Sequence, residues 1–200
     1  PPPSPPLPSP SPPPPPAECA KVQLPTTGWM MVSFNCVGGL ANTFEVLDGA
    51  SWQTDDKIMT RDPFLKFASF NGGHFVGGLI NHDELIPSLG YMVYYTGAPA
   101  ELTQTGSAQL PVEAAVLRVG WNWIGHAPLA SYDVGDINTP VAPGSFSADD
   151  QIKTRTGATL SFATYTGSVW AGSLVELVPG VGYQVKVAQA LSFCYGTCVS

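Results

Sequence analysis

Positive charge is scarce in this chain. Eight Lys and Arg stand against fifteen Asp and Glu, a net charge of −7 over 200 residues, and that balance argues against a nucleic-acid backbone or an anionic membrane surface as partner. Long apolar runs are missing as well: none approaches the ~20 residues of a membrane-spanning helix, so no membrane span is expected. There is no Gly-x-Ser-x-Gly elbow, no phosphate-binding glycine loop and no His-Glu-x-x-His. The common hydrolase, nucleotide and zinc-protease chemistries therefore have no foothold, and neither an enzyme nor a cofactor is expected. No stretch keeps a helical period; Ala100 to Gln104 has room for one helical turn and no more. What remains is 44% hydrophobic and only 12% charged, enough apolar material for a folded core under a sparsely charged surface.

Cysteine is sparse too, at positions 19, 36, 194 and 198, with no paired C-x-x-C of zinc-binding type. Cys19, Cys36, Cys194 and Cys198 are expected to form two disulfides, and an extracellular location follows from that. Two cysteines flank the start of the folded body and two its end. Bridges that tie start to end, Cys19 and Cys36 each with Cys194 or Cys198, are favoured, and the local pairing of Cys194 with Cys198 stays open.

Proline, in contrast, is abundant and concentrated. Pro1 to Pro16 reads PPPSPPLPSPSPPPPP, and consecutive prolines leave polyproline II as the only regular conformation. Residues 1–17 are therefore expected to form a stiff arm, on the order of 50 Å long at roughly 3.1 Å per residue.

The body after the arm contains the same pattern twice. Gly28-Trp29 is answered by Gly120-Trp121, and Asp55-Asp56-Lys-Ile58-Met-Thr60-Arg61 by Asp149-Asp150-Gln-Ile152-Lys-Thr154-Arg155. Phe67-Ala-Ser-Phe70 lies over Phe162-Ala-Thr-Tyr165, and Pro87-Ser-Leu-Gly90-Tyr91 over Pro179-Gly-Val-Gly182-Tyr183. Each copy alternates as short strands: Tyr91, Val93 and Tyr95 share one face, as do Tyr183, Val185 and Val187. The fold class expected is all-β, two tandem homologous β-repeats of about five strands each, of sandwich or barrel type, over 18–110 and 111–200, preceded by the extended arm.

Gly-Trp-Asn-Trp-Ile at 120–124, Trp-Ala-Gly-Ser-Leu at 170–174 and Pro-Gly-Val-Gly-Tyr at 179–183 resemble a β-rich repeat found in tandem in secreted bacterial and algal proteins. The resemblance covers both copies, strongly the second and loosely the first. It implies a surface or matrix protein without catalytic residues. The arm separately resembles the rods of hydroxyproline-rich algal wall glycoproteins, of the pherophorin and extensin type, and the fibres of algal flagellar hairs. That likeness implies hydroxylated prolines and O-linked sugars, with Ser4, Ser9, Ser11, Pro12, Pro13, Pro14 and Pro15 as the candidate positions. No Asn-x-Ser/Thr sequon occurs, so N-glycosylation is not expected.

Clustered carboxylates are hard oxygen ligands, which makes Asp55, Asp56, Asp149 and Asp150 the weak candidates for a metal. The plainer expectation is a turn with an Asp paired to Arg61 or Arg155. His74, His82 and His126 are unmatched between the copies and are expected at the surface or satisfied in the core. Trp29 and Trp121, like Phe75 and Trp170, recur at matched positions, as core aromatics do. Trp52 has no evident aromatic partner in the second copy and is the candidate exposed aromatic. The copies diverge where Met30, Met59, Met92 and Tyr94 replace Asn122, Lys153, Gln184 and Lys186. An apolar outer surface of that kind marks an interaction site. The expected partners are the Pro-rich arm or back of another copy in a head-to-tail filament, or other matrix glycoproteins. A carbohydrate-binding module on a Pro-rich stalk is the alternative.

Overall fold

The structure is a computed structural model and describes residues 19–25, 27–38, 44–79, 85–108, 115–138, 140–141 and 146–193. The arm at 1–17 with its candidate glycosylation positions, His82, Cys194 and Cys198 lie outside the described residues.

The first half contributes β1 (Val22–Leu24), β2 (Gly28–Ser33), β3 (Cys36–Val37), β4 (Lys57–Arg61), β5 (Leu65–Phe70), β6 (Phe75–Val76), β7 (Gly90–Tyr95), β8 (Ala100–Leu102) and β9 (Ser107–Ala108). The second contributes β10 (Ala115–Leu117), β11 (Gly120–Gly125), β12 (Tyr132–Asp133), β13 (Pro140–Val141), β14 (Gln151–Thr156), β15 (Thr159–Tyr165), β16 (Trp170–Gly172), β17 (Glu176–Leu177), β18 (Gly182–Val187) and β19 (Leu191–Phe193). Among the described residues the helical pieces are two short 3-10 segments, Phe44–Gly49 and Val134–Asn138. Ala100–Leu102 is a strand rather than a helical turn, because its pairing with β1 satisfies its backbone.

The fold is all-β and its sheets are antiparallel and open; none closes into a barrel. The largest has ten strands. In the first half the order is β2-β7-β4-β5-β6, and in the second β11-β18-β14-β15-β16, so strands at matched sequence positions occupy matched places. The hydrogen bonds that fix each half match as well. The Thr60 hydroxyl donates to the Gly90 carbonyl at 2.8 Å, and that of Thr154 to Gly182 at 2.8 Å. The Tyr91 hydroxyl accepts the Ile86 N–H and that of Tyr183 the Val178 N–H, each at 2.7 Å. Burial raises both phenols above their ordinary value, so they stay neutral pins.

Period-2 alternation gives each half its own core. Met30, Val32, Ile58, Tyr91, Val93 and Tyr95 point into one cluster, and Ile124, Ile152, Tyr183, Val185 and Val187 into the other. The halves meet through a reciprocal lock. Val32 bridges Val181 while Leu89 bridges Ile124; the Ser33 N–H donates to the Gly180 carbonyl at 3.0 Å while the Gly125 N–H donates to Ser88 at 2.9 Å. Each contact is made once in each direction, as across a two-fold axis. A single pairing, Thr156 with Met30, joins the two parts of the large sheet.

Cys19 is bonded to Cys36, with Cα atoms 5.7 Å apart, which replaces the expected start-to-end bridges. Side-chain amides explain the local pairing. The Ala20 N–H donates to Asn35 Oδ1 at 2.9 Å. Gln104 accepts the N–H of Asn35 and of Cys36 and donates to the Ala20 carbonyl, at 3.0, 3.2 and 2.6 Å. This clip brings the entry of the chain alongside the end of β2, and the cysteines meet there.

Candidate interaction surface

Residues directly opposite on paired strands share a sheet face, so the register determines the outward face of each half. In the first half one row crosses four strands as Phe67, Met59, Met92 and Met31. The next row is Ser69, Lys57, Tyr94 and Trp29. Trp29 and Tyr94 lean together with ring centroids 5.0 Å apart and planes tilted by 46°. Met59, Met92, Tyr94 and Trp29 are half-buried, and Phe67 is 51% exposed. The second half places Phe162, Lys153, Gln184 and Trp123 in the first of these rows. Its next row is Thr164, Gln151, Lys186 and Trp121. The Lys153 ammonium lies 4.0 Å from the centre of the Trp121 ring.

Met59, Met92 and Tyr94 thus belong to one surface, and Met30 and Trp52 do not. Met30 is 1% exposed and part of the first core. Its polar counterpart Asn122 is no sign of an outward position, because Asn122 turns back on its own chain: its Nδ2 donates to the Arg118 and Gly120 carbonyls. Strand parity puts Met31 and Trp29 on the opposite side of β2, where Trp29 is half-buried and Met31 is itself buried. The expectation that Trp29 and Trp121 are core residues fails for the same reason, while Phe75 and Trp170 do pack against the two cores.

Trp52 is buried, its indole N–H donating to the Leu47 carbonyl at 2.6 Å. It does have an aromatic counterpart. Trp52 meets Phe75 at 4.9 Å and 77°, and Phe146 meets Trp170 at 5.0 Å and 74°. The Trp and the Phe stand on opposite sides of the same ring contact in the two halves, a relation invisible to position-by-position comparison.

The paired carboxylates build turns. Asp55 and Asp149 adopt left-handed backbone conformations, φ 74° and 71°, which Asp tolerates better than most residues. Asp56 and Asp150 are buried. Asp56 accepts the Gln53 N–H and the Thr96 hydroxyl at 2.8 and 2.7 Å. Asp150 accepts the N–H groups of Ser147 and Ala188 at 2.8 and 2.7 Å. Among the described residues no group of three His, Cys, Asp or Glu could hold a metal. The expected pairing of an Asp with Arg61 or Arg155 does not form. Arg61 lies five residue steps along an extended strand from Asp56, roughly 16 Å, and the Arg155 Nε donates to the Gly157 carbonyl instead, at 3.0 Å.

His74 is exposed, whereas His126 is fully buried, with Nε2 donating to the Ala130 carbonyl at 2.8 Å. A cavity of about 140 Å³ opens between Thr60, Leu79 and Tyr91, with Asp62 and Lys66 at its wall, and the Thr60 hydroxyl there is engaged by the Gly90 carbonyl. Among the described residues no helix is long and apolar enough to cross a membrane. Comparison with family models, with curated proteins and with solved structures finds no match to this chain.

Proposed function

We propose that this chain is a non-enzymatic extracellular structural glycoprotein, a duplicated β-unit on a Pro-rich arm, and a subunit of a fibril or cell-surface matrix. One observation carries the reading: Met92 and Met59, half-buried beside the exposed Phe67 on the outward face of the first half, occupy the positions that hold Gln184 and Lys153 beside Phe162 in the second. Two positions that are polar in the second half are methionine here, outside the core cluster of the first half. The matched strand order and hydrogen bonds support duplication, so the second half serves as an internal standard for what the face requires merely to fold.

A Pro-rich rod docks on apolar and aromatic surfaces because its extended conformation is set beforehand. The arm of one copy, seated on the Met59, Met92 and Tyr94 face of the next, makes a heterologous contact that does not close on itself and so extends into a filament. The Cys19–Cys36 bridge supports an oxidising, extracellular setting. The resemblance of the arm to hydroxyproline-rich rods adds O-linked glycans on Ser4, Ser9, Ser11 and the Pro12 to Pro15 run.

Electron microscopy of the purified protein tests this. Fibres are expected, and they disappear on deleting residues 1–16 or on replacing Met92→Gln with Tyr94→Lys, while circular dichroism stays unchanged. Fibres that survive both changes remove the arm and the face from the contact. A monomer at high concentration that shifts on adding a neutral polysaccharide identifies a carbohydrate-binding module instead.

A further inference from the structure

The outward faces carry a charge pattern that the chain as a whole does not. Strand register places Lys57 and Arg61 outward in the first half and Lys153, Arg155 and Lys186 outward in the second, five of the eight basic residues of the chain. No Asp or Glu takes an outward position on these strands: Asp55, Asp56, Asp149 and Asp150 lie in turns and Glu101 on β8. An acidic protein thus presents a cationic sheet face.

The second half interleaves these cations with rings. Trp121 and Trp123 stand two apart on β11, Lys186 is directly opposite Trp121, and Lys153 lies opposite Phe162 on its other side. The Lys153 ammonium is held 4.0 Å over Trp121, which fixes its position and strips part of its hydration. Phe162 is 48% exposed, and Lys186 and Arg155 are exposed. In the first half the positions of Lys153 and Lys186 are Met59 and Tyr94, so the two faces have specialised in different directions.

We propose that the outward face of the second half, built on Trp121, Trp123, Lys153, Arg155, Lys186 and Phe162, binds a polysaccharide of the uronic-acid type. One face of Trp121 is taken by Lys153, so the partly exposed rings of Trp123 and Phe162 are the ones that suit the C–H faces of sugar rings, and the cations beside them suit carboxylates carried on those rings. The charge density fits a polymer with about one charge per ring. Three cations spread over neighbouring strands are too few for a duplex that carries a charge every ~1.7 Å, against a net charge of −7. An acidic peptide supplies the charge but offers the Trp rings no face. This binding is independent of assembly, because it uses the half that does not carry the Met59, Met92 and Tyr94 surface.

The test is titration of the full-length protein, followed by tryptophan fluorescence, with polygalacturonate, neutral dextran, dextran sulfate, poly-glutamate and a single-stranded oligonucleotide. Polygalacturonate is expected to bind and to weaken with salt without vanishing, since stacking persists. Lys153→Gln with Lys186→Gln is expected to lower its affinity about tenfold or more, while Lys57→Gln with Arg61→Gln leaves it unchanged. These are surface changes to a residue type already present on the same face at Gln151 and Gln184, and circular dichroism verifies the fold. Equal binding of dextran, tighter binding of dextran sulfate, poly-glutamate or the oligonucleotide, or an unchanged affinity in the Lys153→Gln, Lys186→Gln variant overturns the proposal.

Discussion

Gly90 lies against the backbone of Ile124 so closely that a Cβ at this position would stand 2.6 Å from the Ile124 carbonyl oxygen. Gly182 stands in the same relation to Val32, closer still. Neither backbone can step aside, since each belongs to a strand paired on its other edge. Gly90→Ala is therefore expected to cost about 1–3 kcal/mol of stability, as overpacking does, measured as a shift in the urea midpoint. Gly78→Ala, where a Cβ meets nothing within 4 Å, is the matched control and should be nearly neutral. Equal effects at the two positions would show that the lock between the halves contributes little.

The turn carboxylates give a second expectation. Asp56 and Asp150 each accept two hydrogen bonds in buried surroundings, so replacement by Ala strands donors that have nowhere else to turn. Each of Asp56→Ala and Asp150→Ala should cost about 1–3 kcal/mol. Because these oxygens are already engaged, calcium should leave the melting temperature of the native protein where it is. A rise in melting temperature with added calcium would restore the metal reading of the Asp pairs.

Much of this architecture is legible in the residues. Gly90-Tyr91 and Gly182-Tyr183 mark strands that begin at matched points, and Asp56 and Asp150 mark matched turns, because backbone conformation and hydrogen bonding restrict those positions to few residue types. The phase of β2 is not legible. Met30 and Met31 are neighbours of one type, both buried, and only the pairing of Met31 with Met92 decides which of them joins the core cluster. The Cys19–Cys36 bridge was hidden for a related reason: it depends on the Gln104 and Asn35 clip, whose members lie far apart in the chain.

Acid sensitivity should trace to His126. Burial holds its imidazole at about 4, against an ordinary value of 6.5, with the Ala130 carbonyl offsetting part of the effect. The folded state thus favours the neutral ring, and the unfolded chain takes up the extra proton. This contribution to stability is complete above about pH 6.5, declines as the pH falls toward 4, and levels off below that. It amounts to about 3 kcal/mol. His126→Phe, the residue that the first half carries at the matching position, Phe34, should flatten the denaturation midpoint across this window. A variant with the same acid limb as the native protein assigns that limb elsewhere.

The exchanged aromatic pair offers the sharpest test of equivalence between the halves. Trp52 and Phe75 in the first core, and Phe146 and Trp170 in the second, keep the same edge-to-face geometry with the larger ring on opposite sides. The third ring of each cluster is also matched: Phe70 lies 5.4 Å from Phe75, and Tyr165 lies 5.4 Å from Trp170. Trp52→Phe alone opens a void and removes the indole hydrogen bond to the Leu47 carbonyl, which keeps only the Ala50 N–H, for a cost of about 1–3 kcal/mol. Phe75→Trp alone crowds a ring that already touches Trp52. Made together, the two changes reproduce the arrangement of the second core, so the double variant should be more stable than the sum of the singles predicts, by about 1 kcal/mol in a double-mutant cycle. Additive costs would mean that the two cores accommodate their rings by different means. The loss specific to the Leu47 hydrogen bond should persist in the double variant, because moving the indole to position 75 takes its N–H away from that carbonyl.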